Sequence, residues 1–358
     1  SRLSMSAVVS IERLGQGPMP TDSPFLFAVH HLDTYPAGNA KMAPAASLRG
    51  HNIGADFGHA DGWSMYHGEE VPGFPKHPHR GFETVTIARR GYVDHTDSLG
   101  NGGRFGGGDV QWMTAGAGIS HAEMFPLLDQ AKPNVLDLFQ IWLNLPKKNK
   151  MAPPTFKMIW AESIPRASPA PGVQLALYVG AFAGVEAPPA PPAHSYAAEA
   201  EGAVLVITLE LAPGTAWTLP AAAASASSAS SASVHRSLYL YAGGAASVDG
   251  RGVAGRQRVK LRPDTEVPLT NTGDGTLQLL LLQGRDIGEP VTQHGPFVGN
   301  TQQDIRRAFE DYQRTGFGPW PWPSDAHAFA RSEPRFALYT DGTREERPLG
   351  TDGVCTAK

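Results

Sequence analysis

The chain has 358 residues, 41% of them hydrophobic and 18% charged, with a net charge of -4. That length suits two domains better than one, and the apolar content is enough for buried cores, which excludes a mainly disordered chain. The mild acidity, with no run of Lys and Arg interleaved with aromatics, excludes a direct grip on a nucleic-acid backbone, so any role in transcription would pass through a protein partner.

At the N-terminus, Ser1 to Val9 holds an apolar run too short for a secretory signal, and no later stretch is long enough to span a bilayer. The expectation is a soluble protein of the cytoplasm or the nucleus, with no membrane contact. The 40 Gly and 31 Pro fall between short apolar runs, which favours many strands joined by tight turns. From Phe82 the chain reads as two strands around an Arg90-Gly91 turn, with a further reversal at Leu99 to Gly103. Strands over Val110 to Thr114, Ser120 to Met124 and Leu136 to Leu145 complete a first sandwich or barrel, residues 20–146.

Lys147 to Pro171 turns basic and then Pro-rich, as expected of a crossing between domains. A second β unit, 172–330, follows with strands at Gln174 to Val179, Ala203 to Leu211, Ser237 to Tyr241, Arg258 to Leu261 and Leu277 to Gln283. Val185 to His194 reads as an extended connector and the Ala/Ser tract Ala221 to Ser233 as a loop. Asn300 or Thr301 can cap a helix whose apolar positions Ile305, Ala308, Phe309 and Tyr312 share one face and which ends near Gly316. Residues 331–358 read as a polar tail that holds the single cysteine, Cys355, so no intrachain disulfide can form. The fold class is therefore all-β, two β-barrel domains with one C-terminal helix.

Two strings carry the chemistry: His77-Pro78-His79 and His121-Ala122-Glu123. On strands, each places two metal-capable side chains on one face. Three imidazoles and a carboxylate suit a first-row divalent metal and leave positions open for other ligands. A lone His-x-His is more often two ordinary histidines; it is the second string in the same domain that favours ligands. Between them, strand alternation allows only one face of Gln111-Trp112-Met113 to reach the cavity, with Gln111 and Met113 as the substrate-facing candidates. No chemistry is assigned to His30, His31, His51, His59, His67, His95 or His294. The Gly102-Gly103 and Gly106-Gly107-Gly108 clusters lack a following Gly-Lys-Ser or Gly-Lys-Thr and read as turns.

The block from His77 through Arg80-Gly81-Phe82-Glu83-Thr84-Val85 and Gly108 to Gly116 to Glu123 resembles the pirin family of the cupin superfamily. So do Pro24-Phe25-Leu26-Phe27, Asp97 to Asn101, Gln140 to Pro146 and Glu289 to Val298, so the likeness spans roughly residues 20 to 330. The segment from Tyr35 to His67, the Ala/Ser insert and the C-terminal extension depart from it. The resemblance implies two cupin domains with metal in the first only. It transfers His77, His79, His121 and Glu123 as ligands, and leaves Glu83, the usual cupin glutamate, as a supporting or reserve carboxylate. It further implies Fe(II), with other divalent first-row metals able to substitute. The implied activity is oxygenolytic cleavage of a small aromatic substrate, a flavonol such as quercetin, with Glu123 as general base. The alternative it carries is a non-enzymatic, redox-sensitive iron protein that modulates transcription through a transcription-regulator partner.

Overall fold

The computed structural model describes residues 6–58, 61–222 and 234–350. Most of the Ala/Ser tract, His59 and Cys355 lie outside the described residues. Two compact units divide the chain, one of Ser1–Ala28 with Ser163–Gly288 and the other of Val29–Glu162 with Glu289–Lys358. The sequence reading draws contiguous domains, whereas each unit is built from two separated stretches. Among the described residues no helix is long and apolar enough to cross a membrane.

The fold is all-β, as expected, with one α-helix among the described residues, and each unit packs two sheets face to face as a jelly-roll sandwich. In the first unit a seven-stranded sheet runs, in spatial order, Val8–Arg13, Gln257–Leu261, Val234–Ala242, Leu277–Arg285, Leu205–Leu211, Val173–Val179 and Arg166–Ala170. A four-stranded sheet of Ala216–Leu219, Val267–Asn271, Ala245–Val248 and Arg251–Ala254 faces it. Alternation explains the core: Leu205, Ile207, Leu209 and Leu211, with Leu277, Leu279 and Leu281, all turn into one buried cluster. Burying such leucines stabilises by about 2 kcal/mol each before entropy is counted.

The second unit holds the motif strings. Its five-stranded sheet runs Thr155–Ile159, Asp109–Thr114, Phe82–Arg90, Asn134–Asn144 and Phe25–Tyr35. Its six-stranded sheet runs Arg344–Arg347, Arg335–Leu338, Gly102–Gly106, Tyr92–Asp97, Ile119–Met124 and Gly73–His79. Two segments read as connector and tail are thus strands. Thr155–Ile159 pairs with Asp109–Thr114, and Arg335–Leu338 pairs with Gly102–Gly106. The polar look of the tail misleads because Arg335 is buried against Asp109 at 2.6 Å, while Phe336 and Ala337 enter the core.

The helix, α1, covers Gln302–Thr315. Thr301 and Asp304 cap each other's backbone N–H groups in a capping box, and Gly316 ends the helix at φ 60°. It buries Ile305 and Ala308 beside Phe297 and Phe317 in the unit that carries His77 and His121, not in the other sandwich.

Candidate metal centre

The strands Gly73–His79 and Ile119–Met124 are antiparallel neighbours, with His77 opposite His121 and His79 opposite Ile119. Residues directly opposite share a face, so both histidine strings turn one face into the sandwich. One ring nitrogen each from His77, His79 and His121 lies within 4.8 Å of the other two. The rings are 4.4 Å apart for His77 and His121, and 4.9 Å for His79 and His121.

Their surroundings suit a metal. His77 Nδ1 donates to the Pro75 carbonyl at 2.8 Å, and His79 is hydrogen-bonded to the Pro296 carbonyl while its Nδ1 has no partner. Both nitrogens of His121 are buried without a hydrogen bond among the described residues. Tying one ring nitrogen to a carbonyl fixes the tautomer and leaves the other as a lone-pair donor. Burial pushes His77 down to about 4, and pushes His79 and His121 well below the ordinary histidine value, each reinforced by the neighbouring imidazoles. All three are therefore neutral at physiological pH, the form that binds metal. Ring nitrogens of His79 and His121 that no hydrogen-bond donor meets among the described residues, grouped with His77, fit a divalent cation.

Glu123 stands two residues beyond His121 on the same face, outside the tight cluster of three. Its Oε1 accepts from Thr86 at 3.1 Å and its Oε2 from Gln140 at 3.1 Å. Burial raises its pKa, against the pull of His95, Thr86 and Gln140. Glu83 is placed elsewhere: on its strand it alternates with Thr84 and Thr86, and it accepts from Thr114 at 2.7 Å on the opposite face of the sheet.

The facing sheet supplies the other wall. Thr86 lies opposite Gln111 on one side and Gln140 on the other, and Thr84 opposite Met113 and Trp142. Gln111 and Met113 therefore share the interior face with Thr86, and Trp112 turns away. Gln111 is fully buried, and among the described residues neither of its amide atoms has a hydrogen-bond partner. An amide left so inside a protein costs several kcal/mol unless water or ligand meets it, about 1–3 kcal/mol per group. Phe82 and Trp142 close the floor, 5.0 and 5.2 Å from the His79 ring.

Behind the histidines, Arg80 fixes the end of the strand. Its Nε donates to the Ala117 carbonyl at 2.6 Å, its Nη1 to Asp311 of α1 at 2.9 Å, and it lies 4.6 Å over the Phe317 ring. Gly81 follows at φ 86°, and a Cβ there would sit 1.9 Å from the Val298 carbonyl, so only glycine makes this turn. Lys150, which burial pushes down to about 8, donates to the Gly81 carbonyl at 3.0 Å and to Asn144 at 2.6 Å.

Sequence reasoning missed His95, Thr86 and Gln140. His95 pairs directly with Glu123 across the neighbouring strand, its ring 5.4 Å from His121 and its Nε2 3.4 Å from Asp97. Gln140 left a signal, as an amide at the centre of the apolar run Leu136 to Leu145. Of the other histidines, to which no chemistry is assigned, His30 pairs with Asp137 at 2.9 Å and His294 meets Phe309 edge-on.

Comparison with known proteins points one way. The family described as Pirin matches residues 23–143, and the one described as Pirin C-terminal cupin domain matches residues 215–318. Pirin-1 of Arabidopsis thaliana is 35% identical over 252 residues, 69% of this chain and 78% of that one. A Pseudomonas aeruginosa protein provisionally named a quercetin 2,3-dioxygenase is 35% identical over 254 residues, 68% of this chain and 79% of that one. A solved structure of quercetin 2,3-dioxygenase from Acinetobacter baumannii superposes with a TM-score of 0.64 at 27% identity, covering 88% of this chain and 96% of that one.

Proposed function

The chain belongs to the pirin family, and on that premise we propose that it is a dioxygenase that holds Fe(II) on His77, His79, His121 and Glu123 and opens a flavonol such as quercetin. One observation carries the reading: three neutral histidines converge across the interior from Gln111, whose buried amide has no partner. A structural core would fill such a space with apolar side chains. The dioxygenase names borne by a relative and by a structural neighbour support the substrate class.

When bound, the metal would supply Lewis acidity and open positions for a phenolate and for O2. The chain's own residues do the rest. Glu123, raised by burial and held by Thr86 and Gln140, would take the proton from the flavonol hydroxyl. Gln111 offers an N–H donor and a carbonyl acceptor to the substrate's oxygens, and Met113 packs against its ring. Phe82 and Trp142 keep water from the His79 side.

The test is direct. Protein purified without oxygen is loaded with Fe(II) and given a flavonol panel, with O2 uptake and CO release followed beside His79→Ala. Uptake that depends on His79 supports the reading; a metal-replete wild type with none sinks it for these substrates.

A further inference from the structure

Of the three histidines, His79 and His121 are buried and only His77 is partly open. The cluster is therefore least covered on the His77 side. Next to His77 begins a chain of rings that the metal chemistry does not use. Phe74 lies 6.3 Å from His77, His67 lies 5.7 Å from Phe74, and Phe57 lies 5.2 Å from His67 and 6.5 Å from Phe74. Phe57 is 51% exposed. Phe57 and His67 come from the segment between Tyr35 and His67, where the sequence departs from the family pattern.

The described residues on either side of positions 59 and 60 in that segment are held firmly. Asp56 and Tyr66 exchange backbone hydrogen bonds at 2.8 and 2.9 Å. The Asp56 carboxylate also takes the backbone N–H of Met65 and the His51 ring, both at 2.7 Å. The buried Tyr66 hydroxyl donates to Asp33 at 2.8 Å and lies 2.8 Å from His31 Nδ1. Tyr66 itself adopts φ 56°, a left-handed conformation that a bulky residue keeps only when its surroundings enforce it. His67 Nδ1 is fixed by the Gly54 carbonyl at 2.7 Å, which leaves its Nε2 for another partner. An anchored loop that still leaves a phenyl ring half in water has preorganised that ring for contact.

We propose that Phe57, His67 and Phe74 form the entrance of the substrate site, where a planar aromatic ligand lies against Phe57 and Phe74 and its phenolic oxygen meets His67 Nε2. This deepens the flavonol reading and rests on it for the identity of the ligand. The rim selects flat, hydroxylated rings because ring-on-ring contact rewards planarity and His67 rewards a hydroxyl at the edge.

Binding of quercetin to the Fe(II)-loaded protein, followed without oxygen by the shift in quercetin absorbance, tests the rim without turnover. Phe57→Ala should weaken binding roughly three- to tenfold, the size of one aromatic contact, with iron content unchanged, and Phe57→Tyr should restore it. Wild-type affinity in Phe57→Ala overturns the rim while leaving the flavonol reading intact. Naphthol serves as a second ligand. If the wild type ignores quercetin yet binds naphthol in a manner that Phe57→Ala weakens, the rim stands and the flavonol reading falls; if it binds neither, both fall.

Discussion

Arg80 Nη1 donates to Asp311 Oδ2 at 2.9 Å, which ties the residue next to His79 to a helix more than two hundred positions further along the chain. The guanidinium is nearly buried and also serves the Ala117 carbonyl. Arg80→Met should therefore cost about 2 kcal/mol of stability, the range for losing a charged hydrogen bond and orphaning an acceptor. Asp311→Asn, which removes one arm only, should cost less. Urea unfolding of both variants checks the order, and a larger loss in Asp311→Asn than in Arg80→Met would show that the helix is held in another way.

Gln140 orients Glu123 through Oε2, as Thr86 does through Oε1. Gln140→Leu keeps the volume and removes the donor. Partners that orient a ligand usually matter by about 10- to 100-fold in metal affinity. Competition with a chromophoric chelator should show a loss in that range. Unchanged affinity would mean that Glu123 takes no part in holding the metal.

Asp137 predicts a pH dependence away from the metal. Burial pushes its carboxyl up, but the hydrogen bond from His30 and the charge of Arg89 outweigh this and hold it below the ordinary value of 3.8. A carboxylate depressed in the folded state stabilises above its unfolded value, and that contribution is lost as the pH falls through the folded one. Asp137→Asn should therefore be less stable than wild type at neutral pH, with the gap closing below about pH 4. Parallel melting curves between neutral and acid pH would contradict the pairing.

Arg236 stands on the interior face of its strand beside Leu238 and Leu240, opposite Gln283, and is 2% exposed. Burial pushes its guanidinium down to about 10, and among the described residues its Nε and Nη1 have no acceptor. A buried guanidinium with two nitrogens left without acceptors pays a desolvation cost that an apolar side chain of similar length avoids. Arg236→Met should melt no lower than wild type, and a clear drop in its thermal midpoint would reveal a partner for the guanidinium.

How far the site could be read in advance depends on what is local in sequence. His77 with His79 and His121 with Glu123 were legible because a strand's period of two residues puts them on one face, and α1 was legible from a cap at Asn300 or Thr301, the apolar face of Ile305, Ala308, Phe309 and Tyr312, and Gly316. His95 was not, because its place opposite Glu123 depends on which strands pair and in what register. Glu83 and Thr86 show the same limit within one strand: parity sets them on opposite faces, but only the facing sheet decides that Thr86 meets Glu123. The strand Arg335–Leu338 stayed hidden because charged ends of strands look like solvent-exposed tail until Asp109 is found beside Arg335.

The two-stretch construction of each unit also orders events during synthesis. The sandwich without the histidine cluster has its whole chain once residue 288 is made, while the other still lacks α1 and the strand Arg335–Leu338. Domains fold as their chain emerges from the ribosome. His77 and His79 must therefore wait for residues more than two hundred positions further along, until Pro296 reaches His79 and Asp311 reaches Arg80, so the candidate metal centre is completed after the other sandwich.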